Sequence, residues 1–324
     1  MIRLNRNEIP ISFPKRMIKA IKNSIDELNR YAFPSNVEKL LHLLSDYTKC
    51  PKEAIILSTA SDILLKEFIY LFANKRQILM AEPSFFLIEA TSRKMNSLIL
   101  KVKLKKPHFK FPIDSMIEYL KKPTLAILDN PNNPTGSLML DESDVLEIIE
   151  NKNVILLIDE AYHEFSRVSF VHLITEYPNL AILRTLSKGF GLAGLGIGYL
   201  IGGDQIIHRF EGISTMLSNP NVIAGINALN HRKYFERKVK EIIEEKERVI
   251  NEIKELKLKI TIFPTSTNFI LINTNLPDIV EKLEALGILV LDVSSQFGPG
   301  YIRVTIGTRK ENDYFISALK KILV

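Results

Sequence analysis

Val154-Ile155-Leu156-Leu157-Ile158-Asp159-Glu160-Ala161-Tyr162 carries five apolar residues directly into a carboxylate. A strand without a polar face is buried on both sides, as in a parallel sheet covered by helices. An acid at the end of such a strand is partly desolvated and needs a cation or good hydrogen-bond donors beside it. Its plainest role is a capping or turn residue. The sharper possibility is that Asp159 faces the protonated ring nitrogen of a cofactor, where a carboxylate keeps the ring protonated and a better electron sink.

Other short apolar runs flank this one. Ile78-Leu79-Met80-Ala81, Thr124-Leu125-Ala126-Ile127-Leu128 and Leu180-Ala181-Ile182-Leu183 read as further buried strands, and residues 62–72 and 141–150 have helical spacing between them. This alternation predicts an α/β fold with a largely parallel sheet. The pattern changes near residue 230. A long charged helix is expected over 231–258, with Val239, Ile242, Ile243, Val249, Ile250, Ile253 and Leu256 on its apolar side. Strand-like runs at 267–272 and 301–306 follow, with helical stretches at 277–286 and 311–322. The expected division is an N-terminal arm (1–30), a large α/β domain (31–230) and a small α+β C-terminal domain (231–324). The arm is expected to pack on the small domain or on a partner subunit.

Ligands of open parallel sheets collect at the carboxyl ends of the strands. Two further clusters end strands here. In Asp129-Asn130-Pro131-Asn132-Asn133-Pro134-Thr135-Gly136, two Asn-Pro pairs constrain the backbone beyond what a turn needs and would aim an asparagine side chain at the strand ends. In Arg184-Thr185-Leu186-Ser187-Lys188-Gly189-Phe190-Gly191-Leu192-Ala193-Gly194, Lys188 stands among hydroxyls and glycines. Alone it would read as a surface charge; with the other two clusters it is a candidate nucleophilic amine. Gly189, Gly191 and Gly194 also fit the dinucleotide pattern G-x-G-x-x-G. That rival is disfavoured because the motif comes late in the chain, is followed by a strand-like run rather than a helix, and lacks the acid some twenty residues on.

Composition narrows the classes. Hydrophobic residues at 46% and charged ones at 25% suit a packed core rather than a disordered chain. The net charge of +6 is spread along the sequence, and the one compact basic run, 101–110, is interrupted by prolines and apolar residues, so a nucleic-acid partner is not expected. A single cysteine, Cys50, rules out an intramolecular disulfide. The first residues are charged, and the uncharged runs 189–203 and 212–230 carry turn signals; neither a signal peptide nor a membrane span is expected, and the cytoplasm is the expected location. No metal-ligand pattern is present.

Taken in order, Asn-Pro-x-Asn-Pro-Thr-Gly, Asp-Glu-Ala-Tyr and Ser-Lys-x-Phe-Gly-Leu-Ala-Gly-Leu resemble the fold-type-I aminotransferases. Within them the chain is most similar to the histidinol-phosphate aminotransferases. The likeness runs from Leu4-Asn5-Arg6-Asn7-Glu8 through Arg30-Tyr31 to Arg303-Val304-Thr305-Ile306-Gly307-Thr308-Arg309. It implies a mainly parallel seven-stranded sheet and pyridoxal 5′-phosphate (PLP) as cofactor. Lys188 would hold PLP as a Schiff base and shuttle the substrate proton. Asp159 would pair with the pyridinium nitrogen, and Asn133 and Tyr162 would hydrogen-bond the phenolic oxygen. Phe85 would stack on the ring, with Phe86 as competitor. The turn Ala60-Ser61-Asp62 would seat the phosphate at a helix N-terminus, helped by the hydroxyls of Thr185 and Ser187. Tyr31 would reach the phosphate and substrate from the other subunit of a homodimer. Arg303 would clamp a carboxylate, and Asn7 would lie against the substrate.

The chain departs from the family pattern where Gly196 stands in place of a phosphate-binding arginine, and Ala60 where glycine is usual. Losing such a contact forgoes about 1.5–3 kcal/mol, so the expectation is weaker cofactor retention or compensation by another basic group such as Arg184 or Arg209. The resemblance implies amino transfer between an amino substrate, first L-histidinol phosphate or an aromatic amino acid, and a keto acid, 2-oxoglutarate. A threonine-phosphate decarboxylase and a non-catalytic PLP-binding protein are the alternatives.

Overall fold

A computed structural model describes residues 1–213 and 216–323; Ser214 and Thr215, within the uncharged run 212–230, and Val324 lie outside the described residues. The arm begins with β1 (Ile2–Arg3). Seven strands then form the large sheet: β2 (Ile55–Ser58), β3 (Gln77–Glu82), β4 (Ile99–Lys103), β5 (Thr124–Asp129), β6 (Val154–Asp159), β7 (Leu180–Thr185) and β8 (Gly198–Gly202), in spatial order β2-β8-β7-β6-β5-β3-β4. From β7 to β4 all pairings are parallel, and β8 runs antiparallel to both its neighbours. Every residue of β5, β7 and β8 is buried.

Side chains alternate across a strand, and the sheet accordingly divides two cores. Leu156, Ile158, Leu180 and Ile182 join the cluster on one face, whereas Leu157, Ala181 and Leu183 join Leu64, Leu65, Phe68 and Ile69 of the helix Ser61–Phe72 on the other. The expected α/β, mainly parallel seven-stranded sheet is what forms. The 189–197 stretch makes turns that lead into β8, without the helix a dinucleotide site would need.

Beyond the helix Asn219–Asn230, the helix Arg232–Glu255 lies against a second sheet of β9 (Thr261–Ile262), β10 (Phe269–Asn273), β12 (Leu291–Asp292) and β13 (Tyr301–Thr305), in order β12-β13-β10-β9. The arm is divided between the two bodies. β1 pairs in parallel with β11 (Ile288–Leu289), and Leu4 and Ile9 enter the small-sheet core. Helix Lys15–Ser24 instead packs on helix Asn219–Asn230. The chain therefore passes its residues 4–9 across the mouth of the strand ends.

Candidate active site

Asp129 and Asp159 close β5 and β6 and are register partners. Asp129 Oδ1 accepts from Ser84 Oγ at 2.6 Å and Asn132 Nδ2 at 3.0 Å, and its Oδ2 accepts from the Asn133 amide at 2.7 Å. Burial still pushes its carboxyl up to about 6. The loop beyond it sorts three asparagines. Asn130 Oδ1 accepts from the amides of Met139 and Leu140. Asn132 bridges Pro83 O and Thr135. Asn133 is left to present its side chain outward, where its Oδ1 accepts from Arg303 Nη1.

Asp159 is also buried, but among the described residues it accepts only from the Ala161 amide, at 3.0 Å. Burial, with Asp129 adding to it, raises its carboxyl to about 7. Lys188, on the turn after β7, is held down to about 8 by burial first and by Arg303 second, while Asp62, Glu8 and Asp159 pull the other way. Its Nζ donates to Arg6 O at 3.3 Å and lies 5.9 Å from the ring centre of Tyr162. A lysine with a lowered pKa keeps more of the nucleophilic free amine near neutrality.

Tyr162 is buried edge-on to Phe269, ring centres 5.3 Å apart, and its hydroxyl accepts from Asn7 Nδ2 at 2.7 Å. Asn7 adopts a left-handed backbone, φ 55°, which asparagine tolerates better than most residues. Thr305 fixes it there: Oγ1 accepts from the Asn7 amide at 2.9 Å and donates to Asn7 Oδ1 at 3.1 Å. Arg303, on β13, donates from Nη2 to Asn5 O at 2.8 Å and lies over Phe269 at 5.1 Å, while its buried Nε has no acceptor. The Nε–H thus remains unmatched in a site lined by polar groups.

The start of helix Ser61–Phe72, where the phosphate was expected to rest, has the geometry of an anion seat. Its N-cap, Ala60, is extended and has no side-chain capping bond, so the first backbone N–H groups stay free for a ligand. A Cβ on Gly198 would lie 2.2 Å from Ser61 N, so glycine there is what lets β8 come this close. The hydroxyl of Thr185 donates to Ile197 O at 3.0 Å and takes the Ser187 amide, which ties the turn together. Phe85 is half-buried against the sheet core and Phe86 is 67% exposed, so Phe85 is the better placed of the two to face a planar ring. Tyr31 stands at the surface, 79% exposed, with Ile25, Leu28 and Phe33 also exposed around it.

Neither Arg184 nor Arg209 is placed to compensate for Gly196. Arg184 is buried, donates to Glu160 Oε2 from Nε at 2.9 Å and from Nη2 at 2.8 Å, and also reaches Ser169. It shares the β7 face of Leu180 and Ile182, opposite the face on which helix Ser61–Phe72 packs. Arg209 meets Leu71 O at 3.4 Å, at the wrong end of that helix, ~15 Å from its first turn at the usual helical rise. Gly196 itself has φ +71°, and a Cβ there would meet Thr59 O at 2.4 Å, so this turn excludes any larger residue without rearrangement.

Several residues at the site carried no sequence signal as site residues. Asn5, Asn268, Thr305 and Phe269 belong to the arm and the small sheet, and Asp129 was visible only as the start of a turn. Contacts such as Asn7–Thr305 span 298 positions, beyond the reach of any local pattern.

The residues present fit PLP. A buried carboxylate with one donor suits a pyridinium N–H, uncapped helix amides suit a phosphate, and a half-buried amine with a lowered pKa suits a Schiff base. Among the described residues no cluster could hold a metal ion, and no helix is long and apolar enough to cross a membrane.

The chain matches the family described as aminotransferase class I and II over residues 1–319. It is 34% identical to a histidinol-phosphate aminotransferase of Thermoanaerobacter pseudethanolicus, across 99% of this chain and 93% of the relative. Among solved structures it superposes on the histidinol-phosphate aminotransferase of Clostridium acetobutylicum with a TM-score of 0.89 at 25% identity, covering 99% of each chain. The L-threonine-O-3-phosphate decarboxylase of Porphyromonas gingivalis shares the fold, TM-score 0.83 at 20% identity over 100% of this chain and 99% of that one. With the half-buried lysine, the strand-end carboxylate and the uncapped helix start in place, the chain belongs to the class I and II aminotransferases, enzymes of PLP fold type I.

Proposed function

We propose that this aminotransferase acts on L-histidinol phosphate, with 2-oxoglutarate as amino acceptor. The observation that carries the substrate is the near-complete coverage, at 34% identity, of a relative bearing that name. Aromatic amino acids are the next substrates to test.

PLP, when bound, supplies an electron sink for the negative charge left on the substrate carbon. The protein does the rest. Lys188 holds the cofactor, and its Nζ takes and returns the substrate α-proton, a task suited to an amine held near neutrality. Asp159 keeps a proton on the ring nitrogen because its carboxylate lacks other strong donors. Tyr162 and Asn133 direct hydrogen bonds at the phenolic oxygen. Phe85 covers the ring, and the amides of Ser61 and Asp62, with the Ser187 hydroxyl, hold the phosphate. Arg303, steadied by Asn133 and Asn5, receives an anionic group of either substrate. Asn7 closes the site over Tyr162 and orients the substrate.

The exposed apolar residues Ile25, Leu28, Tyr31 and Phe33 favour burial against a second copy of the chain, which would carry Tyr31 to the neighbouring site. The domain division at residues 30 and 230 belongs to this reading.

The test is formation of L-glutamate from 2-oxoglutarate with L-histidinol phosphate, phenylalanine, tyrosine or O-phosphothreonine as donor, with carbon dioxide release followed for the last. The highest kcat/KM is expected for L-histidinol phosphate. A higher value for an aromatic amino acid would overturn the substrate, and carbon dioxide from phosphothreonine without glutamate would move the chain to the decarboxylases.

A further inference from the structure

The buried seam of helix Arg232–Glu255 runs through Phe235, Val239, Ile242, Lys246, Val249 and Ile253. Five of these six are apolar, as a core-facing stripe should be; the exception, Lys246, is 3% exposed. Its Nζ donates to Thr265 O at 3.2 Å and to Thr267 O at 3.0 Å. No carboxylate among the described residues pairs with it; Glu247 is the acidic group whose field it feels. A leucine or methionine would fill the seam without the cost of desolvating an ammonium. The lysine is therefore explained by what it holds rather than by the stability of the seam.

What it holds is a turn that touches the active site on three sides. The Ser266 amide donates to Gly136 O at 2.7 Å, and a Cβ on Gly136 would lie 2.2 Å from Thr265 Oγ1, so the turn presses on the end of the Asn-Pro loop. Asn268 Nδ2 donates to Asn7 O at 3.1 Å, and Asn7 in turn donates to the Tyr162 hydroxyl. Phe269 lies beneath Arg303 and beside Tyr162.

We infer that Lys246 is a positioning residue of the active site, fixing through the turn 265–268 and Asn7 how the Tyr162 hydroxyl is presented to the cofactor. The inference rests on the proposed contact between Tyr162 and the phenolic oxygen. By donating to the Tyr162 oxygen, Asn7 leaves the phenol O–H to point outward and strengthens it as a donor. Lys188 and Arg303 face the same phenol, with Asp159 and Asp129 behind it. A weaker Tyr162 donor would leave the negative charge on the phenolic oxygen less stabilised, so the Schiff-base nitrogen beside it would keep its proton to higher pH and the pH midpoint of the visible absorbance would rise.

The experiment titrates that absorbance in holoenzyme carrying Lys246→Met, Asn7→Ala or both, with thermal stability recorded alongside. Asn7→Ala is expected to raise the midpoint by about one unit, the scale of one lost hydrogen bond. Lys246→Met should raise it by a measurable part of that, and the double variant should match Asn7→Ala alone, because the two act in series. Lys246→Arg, which keeps a buried donor, should return the midpoint toward wild type. If Asn7→Ala shifts the midpoint and Lys246→Met lowers only the melting temperature, Lys246 is structural and the inference fails. Additive shifts overturn it as well. If neither variant moves the midpoint, the reading of Tyr162 falls and takes this one with it. Should methionine at 246 prevent folding, Lys246→Gln keeps one N–H donor in the seam and carries the same expected non-additivity.

Discussion

Asp129 and Asp159 are the same residue at the same level of two adjacent parallel strands, yet their surroundings differ. Asp129 takes three donors from its own loop and from Ser84; Asp159 takes one backbone amide. Burial raises both carboxyls, the first to about 6 and the second to about 7. A saturated carboxylate organises the chain around it. An unsaturated one is a site waiting for a partner that the chain does not supply. Burial alone does not distinguish them; the donor count does.

The largest effect should come from the group that faces the unsaturated acid across the site. Lys188→Ala should lower glutamate formation by ~10³-fold or more, since among the described residues Lys188 is the amine that the strand-end acids act on. A variant that kept a tenth of the activity would detach Lys188 from the chemistry and leave the comparison without its functional side.

The two aspartates can then be tried against each other. Asp159→Asn should cut kcat by ~10²-fold while the melting temperature stays close to wild type, because one amide donor is easily kept by an amide oxygen. Asp129→Asn should do the opposite. Its new NH2 would face donors in a full shell, costing about 1–3 kcal/mol of stability with a smaller loss of kcat. Thermal melts and steady-state rates on both proteins decide the matter; the reverse assignment of effects would break the distinction.

Acidity sharpens it further. Each carboxyl has a folded pKa above its ordinary value of 3.8, so the folded state holds protons that the unfolded state releases. Their contribution to stability is complete below pH 3.8 and is lost as pH rises through about 6 for Asp129 and about 7 for Asp159. The melting temperature of cofactor-free protein should therefore fall from about pH 4 to about pH 7 and level off above that. Saturating PLP should remove Asp159's share of that fall, leaving a shallower slope that ends at about pH 6, where Asp129 titrates. A slope that PLP does not touch would mean that Asp159 does not meet the ring nitrogen.

The smallest effect concerns the anion seat. Gly196→Ala places a Cβ against Thr59 O in a left-handed turn, and should cost about 1–2 kcal/mol of stability and several-fold in PLP affinity. Because an arginine there must strain the same turn, Gly196→Arg should not improve cofactor retention, measured as PLP remaining after dialysis. Tighter retention would show that the turn yields more readily than its geometry implies.

Much of this was legible in the chain itself. The apolar run ending at Asp159, the Asn-Pro loop and the Ser-Lys-Gly segment announced a parallel sheet with chemistry at its strand ends, because burial on both faces and turn chemistry are local properties. Which way a side chain points was not local. Arg184 looked available for a phosphate, but the register of β7 turns it to the opposite face and onto Glu160. Thr185 looked like a phosphate donor, but its proton goes to Ile197 O. Asn130, Asn132 and Asn133 were alike in the sequence, and only the loop's own hydrogen bonds separate the two that hold it together from the one that faces Arg303. Lys246 sat in a stretch that reads as charged surface, and its burial follows from a helix phase that the apolar neighbours fix only once the small sheet is in place.

The bonds from Asn7 to Thr305 and from Asn5 to Arg303, each spanning 298 positions, set an order on how the enzyme comes into being. A ribosome releases residues 55–202 early, and the seven-stranded sheet with its lysine and both strand-end acids can assemble from them. The Thr305 bonds that fix Asn7 wait until β13 has emerged, and closing so long a loop adds only slowly to its entropic cost. The chain thus makes its reactive amine first and the groups that shelter it last, so that a truncated product would carry the lysine but lack Arg303 and the anchor for Asn7.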